Sequence, residues 1–303
     1  MKNVIIIGGT GFIGQNIYRN LDDPYLPYVV SRSGDKARSI YGKDVKVIEW
    51  DARNIDPDKF PEKVYAVVNL AGENLAKPWT GKQKKKIRQS RIKSAEAVAS
   101  LVNKLNPKPE VVIQASAVGY YGNGGEDILT EKSSRGKGFL ADVVFEWEKT
   151  LDAIDNNKTR KIFIRSGIVL GEEKGIIGKI KLPFKFFLGG PLGSGKQWMS
   201  WIHIEDEVRA IKHLLDSSEA EGAYNLVSPE PVRQKDLMKA LGRAMNRPSW
   251  FRVPAFLLKL FMGDMAEEML LVSQRAKPAH LLEEGFEFKY GNIEKAMNDL
   301  INK

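Results

Sequence analysis

The sequence predicts an α/β protein with a doubly wound parallel sheet, a Rossmann fold, followed by a smaller and mostly helical C-terminal region. Two observations support this prediction. Short apolar runs alternate with amphipathic helical patterns through the first half of the chain, which is typical of parallel sheets with helices on both faces. A glycine-rich loop follows the first apolar run and opens the first helical pattern.

Buried strands are expected wherever a short run of Val, Ile or Leu lies between turn residues. The first run is wholly apolar and ends in glycines, as expected of a parallel strand that is covered on both faces. Six strands are expected, at Val4–Ile7, Val29–Val30, Lys46–Glu49, Ala66–Leu70, Val111–Ala115 and Lys161–Ile164.

Helices are expected between these strands, because parallel neighbours need a crossover connection. They are placed at Phe12–Leu21, Gly81–Leu105 and Phe139–Ile154. The second of them carries a cluster of basic residues, but apolar residues recur at helical spacing from Ile87 onward. The basic side chains therefore lie mostly on the solvated face of an amphipathic helix.

The pattern changes near Gly171, where loop-rich sequence replaces the alternation. Pro254, Pro278 and Gly285 punctuate the C-terminal third. We place an approximate domain boundary here, between a dinucleotide-binding domain at 1–170 and a substrate-side region at 171–303. The chain after this boundary is free to return to the first domain. Helices of the second region are expected at Asp206–Asp216, Lys235–Met245, Ala255–Phe261 and Met265–Val272.

Composition excludes several classes of function. The 303 residues include no cysteine, which excludes disulfides, thiolate metal sites and a cysteine nucleophile. The three histidines, His203, His213 and His280, lack metal-ligand spacing, so no metal is expected. The net charge of +9 comes without aromatic-interleaved basic motifs, so no nucleic-acid partner is expected. No signal peptide or membrane span is recognisable, so we expect a cytoplasmic protein with no membrane partner.

Residues 8 to 14, Gly-Gly-Thr-Gly-Phe-Ile-Gly, have the spacing of a dinucleotide-binding loop. Gly8 permits the tight turn, Gly11 lets the backbone approach a diphosphate, and Gly14 lets the helix pack closely on the sheet. The helix N-terminus offers free N–H groups to the phosphates. Cofactor contacts are therefore expected at Gly8, Thr10, Gly11, Phe12, Ile13 and Gly14.

The residues after the next strands bear on which nucleotide is bound. NAD binders place an acid at the end of the second strand, whereas this chain has Arg32, which matches a 2′-phosphate. We therefore expect NADP(H). Asp51 is a candidate acceptor for the adenine amino group, and a turn or helix-cap role is the alternative. The small residues after the fourth strand let backbone run beside the cofactor, which adds Leu70, Ala71 and Gly72.

These segments resemble the extended short-chain dehydrogenase/reductase superfamily, in which Asn69–Gly72 and Ser116–Gly122 also have counterparts. Within that superfamily the chain is most similar to an atypical group, the epimerase family proteins. The resemblance covers nearly the whole chain and includes Ser90-Arg91, Trp147-Glu148, Arg165–Gly171, Gly189–Gln197, Ser200–His203, Asp206, Arg247-Pro248, Pro278 and Leu281–Phe286.

The resemblance implies a Tyr-x-x-x-Lys acid/base pair, which this chain lacks. The pair aligns with Leu140 and Val144, which share one helix face as core residues do. A replacement proton donor has to come from the strand ends. Tyr120 is the candidate, with Ser116 orienting the substrate and Glu73 as the rival acid. Tyr121 is an alternative to Tyr120, while simple packing or capping roles remain open for all of them.

Two functions fit this sequence. The first is an NADP(H)-dependent oxidoreductase or epimerase that acts on a small molecule. The second is a catalytically silent NADP(H)-binding redox sensor or partner-binding protein, which the missing Tyr-x-x-x-Lys pair favours. His203 and Asp206 are expected to cap the helix that follows them. A homo-oligomer is left open.

Overall fold

The computed structural model describes residues 1–50, 56–155, 158–171 and 175–302. Its strands are β1 (Lys2–Ile7), β2 (Tyr25–Ser31), β3 (Val47–Glu49), β4 (Ala66–Asn69), β5 (Val111–Ala117), β6 (Ile128–Leu129), β7 (Arg160–Ser166), β8 (Ile168–Leu170), β9 (Trp198–Met199), β10 (Trp201–His203), β11 (Gly222–Leu226), β12 (Val232–Arg233) and β13 (Arg275–Ala276). Its helices are α1 (Phe12–Asn20), α2 (Gly34–Tyr41), α3 (Gly81–Lys104), α4 (Phe139–Lys149), α5 (Ile176–Lys185), α6 (Ile204–Asp216), α7 (Gln234–Ala244), α8 (Ala255–Met262), α9 (Ala279–Glu283) and α10 (Ile293–Asn302).

Seven parallel strands form the central sheet in the order β11-β7-β5-β4-β1-β2-β3. The strand order reverses between β1 and β4, so the crevice at their carboxyl ends is the switch point where ligands bind in doubly wound sheets. The predicted fold class is therefore confirmed.

Both faces of the sheet are buried, which explains the continuous apolar strands. On one face, Ile17 of α1 and Leu214 of α6 belong to a core that includes alternate residues of β1. On the other face, the second set of β1 side chains packs with Val98 of α3 and Trp147 of α4. Because helices cover both faces, the loops at the carboxyl ends of the strands form the edge where a ligand can enter.

The seventh strand was not expected. The chain returns to the sheet after residue 171, where β11 pairs with β7 from Gly222 to Leu226. The sequence Gly-Ala-Tyr-Asn-Leu lacks a run of branched apolar residues. Asn225 is fully buried, and its side chain is hydrogen-bonded to Tyr121 and Lys277. A short strand with a buried polar residue gives no periodic signal.

The C-terminal region has its own core, to which α5, α7 and α10 contribute. Helices α2, α5, α9 and α10 were not expected from the sequence, and the predicted helix Met265–Val272 is instead one turn of π-helix at Ala266–Leu270. Among the described helices, none has the length and apolar character needed to cross a membrane.

Candidate functional site

The glycine loop between β1 and α1 lies against the end of β4. Gly8 has a φ of +80°, and a Cβ there would lie 2.9 Å from the carbonyl carbon of Leu70. A Cβ on Gly14 would lie 2.6 Å from the Cα of Gly9. At both positions the space for a side chain is taken by backbone, so these two glycines are required by packing.

Gly11 differs, because a Cβ there would have only the Gly8 carbonyl oxygen within 4 Å, at 3.1 Å. It is the N-cap of α1, and among the described residues no side chain caps this helix and no acid lies in its first turn. The helix N-terminus therefore presents N–H groups beside a backbone surface that a side chain would cover. This arrangement fits a dinucleotide diphosphate.

The end of β2 carries no acid that could bind a ribose 2′-hydroxyl. Ser31 is buried and donates its hydroxyl to the Ser33 carbonyl at 2.8 Å, while Arg32 is exposed. The Glu49 carboxylate at the end of β3 accepts the Gly34 N–H at 2.9 Å, so this acid is engaged at the start of α2. Asp51, the expected adenine contact, lies outside the described residues.

A cavity of about 300 Å³ opens at the carboxyl edge, beside the glycine loop. Ile13 and Leu70, two of the expected cofactor contacts, line it on the loop side. Segments distant in sequence complete the walls, and they come from α3, β5, α4, β7, α6 and the π-helical turn. The cavity is mostly apolar and has few polar groups, as small-molecule sites usually are.

Ser116 lines this cavity but is engaged in a buried network. Its Oγ donates to Glu148 Oε1 at 2.5 Å, and the Arg165 guanidinium binds both oxygens of that carboxylate at 2.8 Å. Arg165 also donates to the Tyr121 hydroxyl at 3.1 Å, and burial raises the pKa of Tyr121 to about 12. The network ties β5, α4 and β7 together at the sheet edge.

Tyr120 packs on the same network. Its ring lies 3.5 Å from the centre of the Arg165 guanidinium, in a cation–π contact. Tyr120 is not among the described residues that line the cavity, although its neighbour Gly119 is. The structure therefore places the first candidate donor beside the cavity wall.

Glu73 lies at the end of β4 and faces solvent. Its carboxylate accepts hydrogen bonds from Lys77 at 2.7 Å and Gln83 at 3.4 Å, and the Lys77 bond holds its pKa below the usual value. Like Tyr120, it is not among the described residues that line the cavity. A carboxylate that stays ionised and paired is poorly suited to donate a proton.

Leu140 and Val144, the positions of the missing Tyr-x-x-x-Lys pair, both line the cavity. Their helix is capped by a residue of the C-terminal region, because Glu268 accepts the N–H groups of Phe139 at 3.0 Å and Leu140 at 2.7 Å. The family position of the acid/base pair is therefore occupied by an apolar wall.

Glu207 of α6 was not anticipated and is the one fully buried carboxyl group among the described residues of the cavity wall. Its Oε1 accepts the Ser166 hydroxyl at 2.6 Å, and its Oε2 has no hydrogen-bond partner among the described residues. Burial raises the pKa of Glu207 to about 8. The sequence did carry a signal, because Glu207 shares a helix face with Ile211 and Leu214, where a charged residue is unusual.

Arg91 supplies the cationic wall of the cavity. Its guanidinium donates to the Glu73 and Ile87 carbonyl oxygens at 3.2 Å and lies 5.2 Å from the Trp147 ring centre. Burial lowers its pKa to about 10. The cap expected of His203 is present, since it accepts the Glu205 N–H at the start of α6. The cap expected of Asp206 was wrong, because its carboxylate accepts the N–H groups of Lys289 and Tyr290 instead. Among the described residues, no cluster of His, Asp and Glu is arranged to hold a metal.

Two family models match this chain. The model of the NAD dependent epimerase/dehydratase family matches residues 4–139, which hold the glycine loop and the first five strands of the central sheet. A domain of unknown function, DUF1731, matches residues 253–300, which hold α8, the π-helical turn and α10.

Similar proteins match over the full length of the chain. The epimerase family protein YfhF of Bacillus subtilis is 36% identical over 301 residues, which are 99% of this chain and 98% of that protein. The crystal structure of the human epimerase family protein SDR39U1 with NADPH has a TM-score of 0.89 and 28% identity, covering 99% of both chains. A nucleoside-diphosphate sugar epimerase from Corynebacterium glutamicum has a TM-score of 0.76 and 29% identity, covering 99% of this chain and 58% of that one.

Proposed function

This chain belongs to the epimerase family proteins, an atypical group of NAD(P)-dependent short-chain dehydrogenases/reductases, and on that premise we propose that it uses NADP(H) as an oxidoreductase or epimerase on a small molecule. The observation that carries the proposal is the uncapped N-terminus of α1, with the open face of Gly11, directly beside the cavity. A cofactor bound there reaches the cavity past Ile13 and Leu70, which line it.

The preference for NADP(H) rests on Arg32. It is exposed at the end of β2, where a charge-assisted bond to a 2′-phosphate contributes roughly 1.5–3 kcal/mol. Two acids of neighbouring elements are engaged, since Glu49 of β3 accepts the Gly34 N–H and Asp35 of α2 pairs with Arg38 at 3.2 Å. The human SDR39U1 structure, with which this chain shares 28% identity, contains NADPH.

The chemistry that a nicotinamide supplies is transfer of a hydride to or from a carbon that bears oxygen. The residues of this chain would hold the substrate in a mostly apolar cavity, with the Arg91 guanidinium on one wall. A cation at that position favours substrates with an anionic or strongly dipolar group.

The alternative function is a catalytically silent NADP(H)-binding sensor. The observation that favours it is the apolar pair Leu140 and Val144 in the cavity wall, where related enzymes keep their acid/base residues. A sensor needs the nucleotide site and a ligand-responsive surface, but no proton donor.

Calorimetric titration with NADPH and NADH tests the proposal. Wild-type protein should bind NADPH more tightly by about one to two decades, since 1.4 kcal/mol is tenfold in affinity. Arg32→Ala should remove the difference while leaving NADH affinity unchanged. Arg38→Ala is the matched control, because it removes an exposed arginine of the next helix that is paired with Asp35. Equal affinities in the wild type would refute the NADP(H) preference.

Two glycine variants separate cofactor binding from folding. Gly11→Val should keep the circular dichroism spectrum of the wild type, because its Cβ meets only the Gly8 carbonyl oxygen, at 3.1 Å. It should lose binding of both nucleotides, because the side chain would cover the backbone that the diphosphate approaches. Gly14→Val should lose the fold, because its Cβ would overlap the Gly9 backbone. Retained nucleotide binding in Gly11→Val would mean that the diphosphate lies elsewhere.

A further inference from the structure

We propose that the Glu207 carboxyl, held in place by Ser166, is the proton donor of the cavity and takes the place of the missing helix tyrosine. This inference rests on the proposed function, because it assigns a residue to the chemistry of the same site. Three observations lead to it, namely the position of Glu207, its free oxygen and its neighbours.

The first observation is the position of Glu207. Glu207 is fully buried in the first turn of α6, yet it lines the same cavity as Ile13 of the glycine loop and Leu140 of α4. Its side chain is therefore part of the wall against which a ligand in the cavity packs. The cavity walls are largely apolar, so the few polar groups on them determine how a ligand is oriented.

The hydrogen bonds of Glu207 leave one oxygen unused. Ser166 Oγ donates to Oε1 at 2.6 Å and fixes the carboxyl, whereas Oε2 is buried without a partner in the part of the chain that the structure describes. A buried polar atom without a partner destabilises the folded protein by about 1–3 kcal/mol, and it is satisfied when a ligand brings a hydrogen-bond acceptor. Its location on the cavity wall indicates that the partner is a ligand.

The charged neighbours of Glu207 are engaged elsewhere. Glu205 binds Lys289, while the Asp206 carboxylate accepts the N–H groups of Lys289 and Tyr290 and pairs with Arg209. Among the described residues, no cation forms an ion pair with Glu207. Burial without a cation raises its pKa to about 8, so at neutral pH the group carries a proton and Oε2 is a donor.

The proposed reaction moves one hydride and one proton. In the direction of reduction, a carbonyl carbon receives the hydride that a reduced nicotinamide dinucleotide supplies. The carbonyl oxygen takes the proton from Glu207 Oε2, so one O–H bond breaks and another forms. The carboxylate that remains is stabilised by the Ser166 hydroxyl until a proton from solvent replaces the one transferred. In the direction of oxidation the same carboxylate accepts the proton.

Infrared spectroscopy tests the protonated carboxyl without any turnover. Wild-type protein at neutral pH should show the C=O band of a buried protonated carboxyl, which should disappear as the pH rises through about 8. The band should be absent from Glu207→Gln and present in Glu205→Gln, the same substitution at a partly exposed position two residues away on α6. A spectrum without this band, or with the band intact in Glu207→Gln, overturns the proposal.

Acetone labelled at its carbonyl carbon serves as the ligand probe, with the protein loaded with NADP⁺ so that no reduction takes place. Its carbonyl band should shift to lower frequency in wild type and in Glu207→Gln, whose amide still donates, but not in Glu207→Leu. No shift in the wild type, or an equal shift in Glu207→Leu, contradicts the assignment.

Calorimetry with NADPH separates this proposal from the function on which it rests. Glu207→Gln and Glu207→Leu should bind NADPH within about threefold of wild type, since removing a hydrogen bond to the cofactor itself would cost roughly tenfold. A tenfold loss in Glu207→Leu would assign Oε2 to the nicotinamide carboxamide and refute proton donation to a substrate. Failure of the wild type to bind NADPH refutes the proposed function, while the infrared band still reports on Glu207.

Turnover supplies the last readout, using NADPH oxidation with a panel of aldehydes, ketones and nucleotide sugars. Glu207→Gln should reduce any turnover by about 100-fold or more, because its amide cannot transfer a proton. Glu205→Gln should retain the wild-type rate. Wild-type rates in Glu207→Gln overturn the proposal.

Discussion

Glu148 and Glu207 are both buried at the carboxyl edge of the sheet and both accept a serine hydroxyl, yet their surroundings are opposite. Glu148 binds the Arg165 guanidinium through both oxygens, in addition to the Ser116 hydroxyl. Glu207 accepts the Ser166 hydroxyl on one oxygen, and its other oxygen has no partner within residues 1–50, 56–155, 158–171 and 175–302. The first carboxylate is compensated by a cation, whereas the second is not.

The difference shows how one residue type serves two purposes a short distance apart in the fold. A buried ion pair with all its hydrogen bonds made is a rigid structural element, and it holds β5, α4 and β7 in register. An uncompensated buried carboxyl is kept neutral, and a neutral carboxyl with a free oxygen can give up a proton to a ligand. The family resemblance pointed to Ser116, but Ser116 belongs to the compensated glutamate.

Replacing Glu by Gln at position 148 and at position 207 should give the largest difference, measured as the free energy of unfolding. Glu148→Gln leaves the Arg165 guanidinium buried without its counter-charge and should lower the free energy of unfolding by about 3–5 kcal/mol. Glu207→Gln replaces a neutral acid with a neutral amide of similar size and should cost less than about 1 kcal/mol near pH 6. Urea denaturation followed by circular dichroism measures both. Equal losses would mean that the two carboxyl groups do not differ in charge state.

The second largest effect should be in the pH dependence of the free energy of unfolding. The folded protein keeps the proton of Glu207 up to pH about 8, whereas an unperturbed glutamate has a pKa of 4.5. Between these values the folded state binds more protons than the unfolded state, so raising the pH favours unfolding. Wild type should therefore lose stability relative to Glu207→Gln by about 1.4 kcal/mol per pH unit, measured from about pH 5.5 to about pH 7.5. A difference that is constant over this range would contradict a buried neutral carboxyl.

The two serines should give the smallest effects. Ser166→Ala removes the hydrogen bond that lowers the pKa of Glu207, so that pKa should rise further and the infrared band should persist to higher pH. Its stability cost should be roughly 1 kcal/mol, as for a typical hydrogen bond. Ser116→Ala is the matched variant on Glu148 and should leave the Glu207 band unchanged. A change of that band in Ser116→Ala would show that the two networks are coupled.

Much of the dinucleotide-binding domain was predictable from the sequence, because its sequence signals are local. The loop from Gly8 to Gly14 follows β1 and opens α1 as expected, and the chain pattern predicted six of the seven parallel strands. Leu140 and Val144 were expected on one apolar helix face, and both line the cavity. The role predicted for Arg32 is tested by the titration with NADPH and NADH, whereas the roles predicted for Asp51, Tyr120 and Glu73 stay predictions.

The surroundings of a side chain were not predictable in the same way. Tyr120 and Glu73 follow strand ends, as a donor should, but their neighbours come from elsewhere in the fold. Arg165 lies 45 residues after Tyr120 and draws its ring into a cation–π contact. β11 could not be predicted from its five residues, because it is a strand only through its pairing with β7, which is distant in sequence.

The sequence by itself therefore determined the fold class, the glycine loop and the absence of a Tyr-x-x-x-Lys pair, because each of these depends on residue types at fixed spacing along one segment. Only the tertiary structure decided which polar group faces the cavity. Glu207 lies on the apolar face of its own helix, and it becomes a buried neutral acid because α6 packs on segments distant in sequence, among them Ser166 of β7 and the residues of α1. Desolvation depends on all atoms within a few ångströms, whatever their distance along the chain, so the local pattern marks the position as unusual but does not determine its charge state.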